Sequence, residues 1–165
     1  MRRPIPDPAA PDQESVWDFP RPSVAQPVDA HLIVILAGQT IAETRRGIRT
    51  VENSHPPTYY FPRDDVAAGV LRQVEGGSFC EWKGHATYFD VVIDGVRRQR
   101  AAWAYPQPTA PFEIIRDHVA FYAAAMDACF VDGERVQPQP GGFYGGWITS
   151  KVSGPFKGVP GSLGW

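Results

Sequence analysis

Apolar residues fall along the chain in short runs separated by turn-forming residues, a pattern typical of β-strands rather than of long helices. The run Leu32–Leu36 predicts a buried strand, followed by a turn at Gly38-Gln39 and a returning strand over 40–44. Residues 48–52 predict a third strand, and the aromatic run over 58–61 predicts a fourth. The segment 32–61 is therefore expected to be β structure.

The strongest local signal is Asp94-Gly95, which lies between two extended runs over 87–102. A type I′ turn needs positive φ at both central residues, and Asp-Gly adopts that conformation readily. With Ile93 opposite Val96, the two-residue period of a sheet places Tyr88 opposite Ala101. The further pairs expected in this register are Ala86 with Trp103 and Gly84 with Tyr105.

A helix is predicted over 112–128. Pro111 suits the first turn of a helix, and Ile115, Val119, Tyr122 and Met126 recur at helical spacing on one face. A second Asp-Gly pair, at 132–133, predicts a small closing hairpin. These elements define the fold class as mainly β with α+β character, an antiparallel assembly with one C-terminal helix packed on it.

The chain divides by composition into three segments. Residues 1–28 form a proline-rich leader without periodicity, 29–136 form a single β-rich domain, and 137–165 form a tail rich in Gly, Pro and aromatic residues. A chain of 165 residues is long enough for one domain with a substantial core.

Charge and composition narrow the class of partner and the compartment. The net charge of -2 and the pI near 6.1 provide no general attraction to nucleic acid or to an anionic membrane. Prolines after the first basic residues argue against a signal peptide, so a cytoplasmic protein of bacterial type is expected. Cys80 and Cys129 do not form a disulfide pattern, and the four histidines do not have the spacing of a metal site.

Tyr88, Trp103 and Tyr105 are predicted to form an aromatic wall at the open end of the hairpin, beside a loop that contains Cys80 and Lys83. The functional interpretation is a pocket with flat apolar walls, a thiol and an ammonium group. The alternative is that these aromatic side chains are ordinary core and that Cys80 is inert. The ammonium group of Lys83 would favour the thiolate form of Cys80, but the sequence shows no base that could accept the proton of the thiol.

Four ordered motifs resemble the bacterial family known as domain of unknown function 427. They are the runs at 59–66, 80–88, 102–108 and 119–122. The resemblance covers about 30–136 and implies a compact antiparallel β-tent or barrel-like assembly with one helix. The family's cysteine, lysine, glycine and tyrosine map onto Cys80, Lys83, Gly84 and Tyr88. Its tryptophan, tyrosine and prolines map onto Trp103, Tyr105, Pro106 and Pro108.

This family also carries a nominal nucleotidyltransferase-like label, which the residues argue against. Such enzymes use two carboxylates on one strand face to hold two metal ions. Gly77-Ser78 and Asp90 have nearly the required spacing, but Val92 stands where the second carboxylate is needed. Where other members often have Pro-Tyr after the cysteine, this chain has Glu81-Trp82, which places a negative charge between Cys80 and Lys83.

Three functions remain open. The first is a site for a small, anionic ligand, and no cofactor is indicated for it. The second is a protein-interaction or structural module that associates with itself or with a partner through 141–165. The third is an enzyme with Cys80 as nucleophile and Lys83 beside it. The predicted ligand-binding residues are Tyr60, Arg63, Cys80, Lys83, Tyr88, Trp103 and Tyr105.

Overall fold

A computed structural model describes residues 3–165. Strands make up 44% of the chain and helical turns 9%, so the protein is mainly β. The strands are β1 (Glu14–Ser15), β2 (Val24–Pro27), β3 (Leu32–Leu36), β4 (Gln39–Thr44), β5 (Ile48–Val51), β6 (Thr58–Pro62), β7 (Leu71–Cys80), β8 (Gly84–Ile93), β9 (Val96–Ala104), β10 (His118–Phe121), β11 (Ala128–Val131), β12 (Glu134–Arg135), β13 (Gln137–Pro138), β14 (Trp147–Ile148) and β15 (Val152–Ser153). The helical turns, all of the 3-10 type, are Val16–Asp18, Arg63–Asp65, Ala110–Ile115 and Ala123–Ala125.

Two antiparallel sheets enclose the main core. The larger sheet has the order β2-β5-β6-β10-β9-β8-β7, and the smaller has the order β12-β11-β3-β4. Leu32, Val34 and Leu36 of the smaller sheet pack into the same buried cluster as Phe61 and Phe121 of the larger one. The predicted antiparallel β class is thus confirmed. The opposite face of the large sheet carries a second, smaller buried cluster.

The hairpin at Asp94-Gly95 is confirmed, with φ values of 48° and 78° and with Ile93 opposite Val96. The predicted register beyond the turn is wrong, because a bulge follows and Tyr88 lies opposite Trp103 rather than Ala101. The cause is Asp90, whose carboxylate accepts the Arg100 backbone N–H at 2.8 Å. The shift is by an even number of residues, so Tyr88 and Trp103 still share a face.

The predicted helix over 112–128 is wrong. A 3-10 turn ends at Ile115, Asp117 takes a positive φ of 58°, and the chain then enters β10 between β6 and β9. Val119 and Phe121 pack into the main core while Ala120 packs on the opposite face of the sheet. A strand buried on both faces lacks polar alternation, so its apolar residues matched a helical period by coincidence.

The strands that were predicted before residue 62 agree closely with the structure, whereas one turn is displaced and several other strands were not predicted. β3 has the predicted bounds, and β4, β5 and β6 differ from prediction by one residue at an end. The first turn lies at Ala37-Gly38, one residue earlier than expected, and the closing hairpin at Asp132-Gly133 is confirmed. Neither β7 nor β10 was predicted, although β7 forms one edge of the large sheet, and the short strands β1, β2, β13, β14 and β15 were not predicted either.

The two ends of the chain pack against each other and against the sheets. β2 pairs with β5, and β1 pairs in parallel with β15. Val16, Trp17 and Val152 share a third buried cluster, and Trp147 is only 1% exposed within the main core. The predicted division at residues 28 and 136 stays a prediction. Within the described residues, no helix has the length and apolar character needed to cross a bilayer.

Candidate functional site

The outer face of the large sheet forms the floor of a cleft. Tyr60 of β6, Trp103 of β9 and Ala120 of β10 lie in one buried cluster there with Tyr105. The segment 139–146 crosses this face. A Cβ atom added to Gly145 would lie 2.0 Å from Cη2 of Trp103, so only glycine allows the backbone to approach the indole so closely.

Between the floor and the crossing segment is a cavity of about 310 Å³, which we call the inner cleft. Its other lining residues include Thr50, Glu52, His55, Tyr122 and Lys157, none of which was predicted as a site residue. Six of the seven residues predicted from the sequence also line it. They are Tyr60, Cys80, Lys83, Tyr88, Trp103 and Tyr105.

Arg63 is the predicted residue that the structure does not bring to the inner cleft. It follows β6 in a 3-10 turn, and its guanidinium lies 4.9 Å from the ring centroid of Phe89. Phe89 belongs to the main core, on the opposite face of the large sheet from Tyr60. Arg63 therefore borders a separate shallow depression with Asp64.

Tyrosine hydroxyls provide much of the polar surface of the inner cleft. Burial raises the pKa of Tyr105 and of Tyr60 above the ordinary range, and the hydrogen-bonding side chains near Tyr60 offset only part of the effect. Burial, with Tyr88 nearby, raises the pKa of Tyr122 to about 12. All three phenols are neutral hydroxyl groups at physiological pH, and the single O–H of Tyr122 already donates to the Phe143 carbonyl at 2.9 Å.

The turn that carries Lys83 is tied to the loop after β9. The Thr109 side chain donates to the Trp82 carbonyl, and the Thr109 N–H donates to the Lys83 carbonyl at 3.1 Å. Gly84, which follows Lys83, has a φ of 106°, a conformation that favours glycine. The Lys83 ammonium lies 5.3 Å from the ring centroid of Phe112, within cation–π range. These contacts hold the half-buried ammonium beside the aromatic floor.

A polar chain links the crossing segment to the rim of the inner cleft. The Gly146 N–H donates to Gln139 Oε1 at 3.1 Å, which orients the amide so that its nitrogen donates to His55 Nδ1 at 3.0 Å. The other ring nitrogen of His55 lies 3.4 Å from a Glu52 carboxylate oxygen. Gln139 and Glu52 therefore occupy the two ring nitrogens of His55, which leaves neither nitrogen free to act as a base for Cys80.

Glu52 is ionised in this arrangement. Burial alone would raise the pKa of its carboxyl group, but His55, Lys83 and Arg21 together hold it below the ordinary value. Arg21 lies 3.8 Å from the carboxylate. The negative charge of Glu52 is thus already paired within the protein.

The structure also shows the role of Asp90, a residue that the nucleotidyltransferase label would interpret as a metal ligand. Its carboxylate accepts the Arg100 N–H and the Arg97 Nε–H, each at 2.8 Å, and these donors lower the pKa of the carboxyl group. Asp90 therefore stabilises the bulge of β8 and β9. Among residues 3–165, no group of three or more His, Cys, Asp and Glu side chains is arranged to hold a metal ion.

These features define a mainly antiparallel β protein whose cleft is formed by a sheet face and a crossing C-terminal segment. The sequence model of a domain of unknown function, DUF427, matches residues 24–132, and the chain belongs to that family. The resemblance found in the sequence is thus confirmed. No curated protein matches the chain.

Proposed function

We propose that this protein binds a small anionic organic molecule in the inner cleft. The observation that carries the proposal is the convergence of Lys83 with buried tyrosine hydroxyls on one aromatic floor. A volume of about 310 Å³ is at the lower end of the range of small-molecule sites, roughly 300–1,000 Å³. Aromatic rings would contact the apolar part of the ligand, and the hydroxyls would fix its orientation.

The charges favour an anion. Lys157 donates to the Trp165 backbone oxygen at 3.0 Å, and Glu52 is paired with His55 and Arg21. Within the described residues the Lys83 ammonium has no hydrogen bond or ion pair to a protein acceptor. An anionic ligand group would supply the acceptor for Lys83, as a charge-assisted hydrogen bond.

Binding without catalysis is the simpler form of this proposal. Cys80 lines the inner cleft, but a nucleophilic thiol needs a base or a strongly favoured thiolate, and His55 is already engaged on both nitrogens. Both cysteines are free thiols, which supports the cytoplasmic location expected from the sequence. We also propose that the sheets have the tent-type arrangement that the family resemblance implies.

Thermal denaturation against a panel of nucleotides, amino acids, organic acids and sugar phosphates tests this function. A ligand present at about 100 times its Kd raises the free energy of unfolding by about 2.7 kcal/mol. Lys83→Gln should abolish the shift, and Tyr105→Phe should reduce it. Lys151→Gln, at an exposed lysine, is the matched control and should leave the shift intact. A shift that survives Lys83→Gln would reject the assignment of the inner cleft.

A self-association module is the second candidate function. Phe143 is 67% exposed and Leu163 is 81% exposed, and both lie in the segment predicted to contact a partner. Exposed apolar side chains of this kind are typical of contact surfaces when they are grouped. If this function holds, sedimentation velocity should show a dimer that Phe143→Ser with Leu163→Ser dissociates without loss of thermal stability. A monomer at all concentrations would reject it.

A further inference from the structure

A second cavity lies on the other side of the crossing segment. Its volume is about 480 Å³, and we call it the outer cavity. It shares six lining residues with the inner cleft, which are Tyr88, Tyr122, Gln139, Phe143, Tyr144 and Gly145. Alanine, glycine and aromatic residues make up most of its lining, and Arg100 is the one charged residue among them. Among residues 3–165 no carboxylate lines this cavity, so an anion placed there would meet a cation and no opposing charge from its walls.

The Arg100 backbone is fixed in an uncommon conformation. Its φ is 47°, and its N–H donates to the Asp90 carboxylate at 2.8 Å. The bulge places the side chain over the sheet rather than along the strand, with its guanidinium carbon 4.3 Å from the ring centroid of Tyr88. The Tyr88 hydroxyl is itself 2.9 Å from the Ser78 hydroxyl. The guanidinium therefore rests on a ring that is held in place.

Only part of the hydrogen-bonding capacity of Arg100 is used within the protein. Nη1 donates to the Glu75 carbonyl at 3.1 Å. Across the described residues, Nε and Nη2 have no acceptor. These two atoms form one edge of the planar guanidinium, and a carboxylate can bind that edge through two parallel hydrogen bonds.

The rest of the outer cavity suits an apolar chain. The short turn Ala123–Ala125 contributes only methyl groups, and Arg98 Nε anchors it by donating to the Ala125 carbonyl at 3.1 Å. Tyr122 and Phe143 add aromatic surface, and the Tyr122 hydroxyl donates to the Phe143 carbonyl at 2.9 Å. Small side chains on one side and aromatic rings on the other leave a slot for an aliphatic or aromatic group.

We infer that the outer cavity is a second ligand site, which binds monocarboxylic acids with an apolar body. Arg100 holds the carboxylate through Nε and Nη2, and the apolar body lies between Ala123–Ala125 and the rings of Tyr122 and Phe143. The site uses a different cation from the inner cleft, so it stands independently of the function proposed for Lys83.

Isothermal titration with 3-phenylpropanoate, and with 3-phenylpropanamide as its neutral counterpart, tests this site. The acid should bind at least about tenfold more tightly than the amide, since a charge-assisted pair is lost in the amide. Arg100→Gln should remove that preference, and Arg100→Lys should retain part of it because the charge stays while the planar edge is lost. Arg72→Gln, at an exposed arginine of β7, is the matched control and should bind like the unmodified protein.

Two further variants separate this site from the inner cleft. Ala124→Leu keeps every charge but fills the slot, and should weaken binding of the acid. Lys83→Gln should leave binding of the acid unchanged. Equal affinity for acid and amide, no binding by the unmodified protein, or retention of the acid preference in Arg100→Gln would each overturn the inference. Loss of binding in Lys83→Gln alone would place the acid in the inner cleft and overturn it as well.

Discussion

The contact between Gly145 and Trp103 allows a quantitative test of how the cleft is built. In Gly145→Ala, the new Cβ would lie 2.0 Å from Cη2, 2.7 Å from Cζ2 and 3.0 Å from Cζ3 of the indole. Trp103 is only 7% exposed, and its ring centroid is 4.5 Å from that of Tyr122, so it cannot move away freely. The crossing segment must therefore shift outward, or the indole must leave its favoured rotamer.

The expected cost is that of overpacking a buried site. Inserting a methyl group into a packed interior costs about 1–3 kcal/mol, which for a chain of this size corresponds to a decrease in Tm of roughly 2–12 °C. Urea denaturation of Gly145→Ala measures the change in the free energy of unfolding directly. The φ of Gly145 lies outside the left-handed region, so backbone strain does not contribute to the expected loss.

A double-mutant cycle identifies the contact responsible. Trp103→Leu removes the ring atoms that the new methyl group would meet, so Gly145→Ala should cost much less in that background. The coupling should exceed about 1 kcal/mol, within the range for residues in direct contact. Additive effects, or a Gly145→Ala variant as stable as the unmodified protein, would refute the close approach of the crossing segment to the floor.

Three further perturbations test the core, the thiols and the bulge. Trp147→Ala should cost about 3–5 kcal/mol in urea denaturation, since the side chain is buried in the main core, and a neutral result would contradict self-packing of the tail. Iodoacetamide should label half-buried Cys80 in the native protein, whereas burial raises the pKa of the Cys129 thiol to about 12 and should protect it until unfolding. The Arg100 N–H lowers the pKa of Asp90, so its stabilising effect is present above about pH 4 and is lost as pH falls through the folded-state pKa. Denaturation midpoints of Asp90→Asn and the unmodified protein should therefore converge in acid, and a gap that persists there would reject this linkage.

Local turn chemistry was sufficient to predict part of the fold. Asp94-Gly95 and Asp132-Gly133 both form the expected turns, because positive φ at two successive positions is a local requirement that Asp-Gly meets. Leu32–Leu36 was predicted with its observed bounds because its flanking residues end it clearly. Each of these predictions depended on neighbouring residues alone.

The incorrect predictions depended on contacts that are distant in sequence. The sequence of β10 has helical spacing, but pairing with β6 and β9 places it inside the large sheet, where a buried cluster covers each of its faces. The register of β8 and β9 changes because the Asp90 carboxylate accepts a backbone N–H ten residues away. A two-residue turn fixes register only as far as the ladder stays regular, and the sequence contains no strong signal for the bulge.

The inner cleft shows the same division between local and distant information. Tyr88 and Trp103 could be placed on one face because an even shift in register leaves the alternation of side chains intact. His55 and Gln139 could not be joined in advance, since they are 84 residues apart and lie in segments without a regular period. Arg63 does not reach Tyr60, because side chains three residues apart point to opposite faces of a strand, and its guanidinium lies against Phe89 on the main-core face.

The two parts of the inner cleft lie in different portions of the chain. Tyr60, Cys80 and Lys83 fall within the residues matched by the family, 24–132, whereas Gln139 and Gly145 come after them. The floor therefore supplies the cation and the aromatic surface, and the crossing segment sets how closely the backbone approaches that floor. Because Gly145 permits contact at the Trp103 ring, the size of the inner cleft depends on a residue outside the matched portion. Under the proposed function, replacing Gly145 by a larger residue would leave the chemical groups of the floor unchanged and change the dimensions of the ligand that fits.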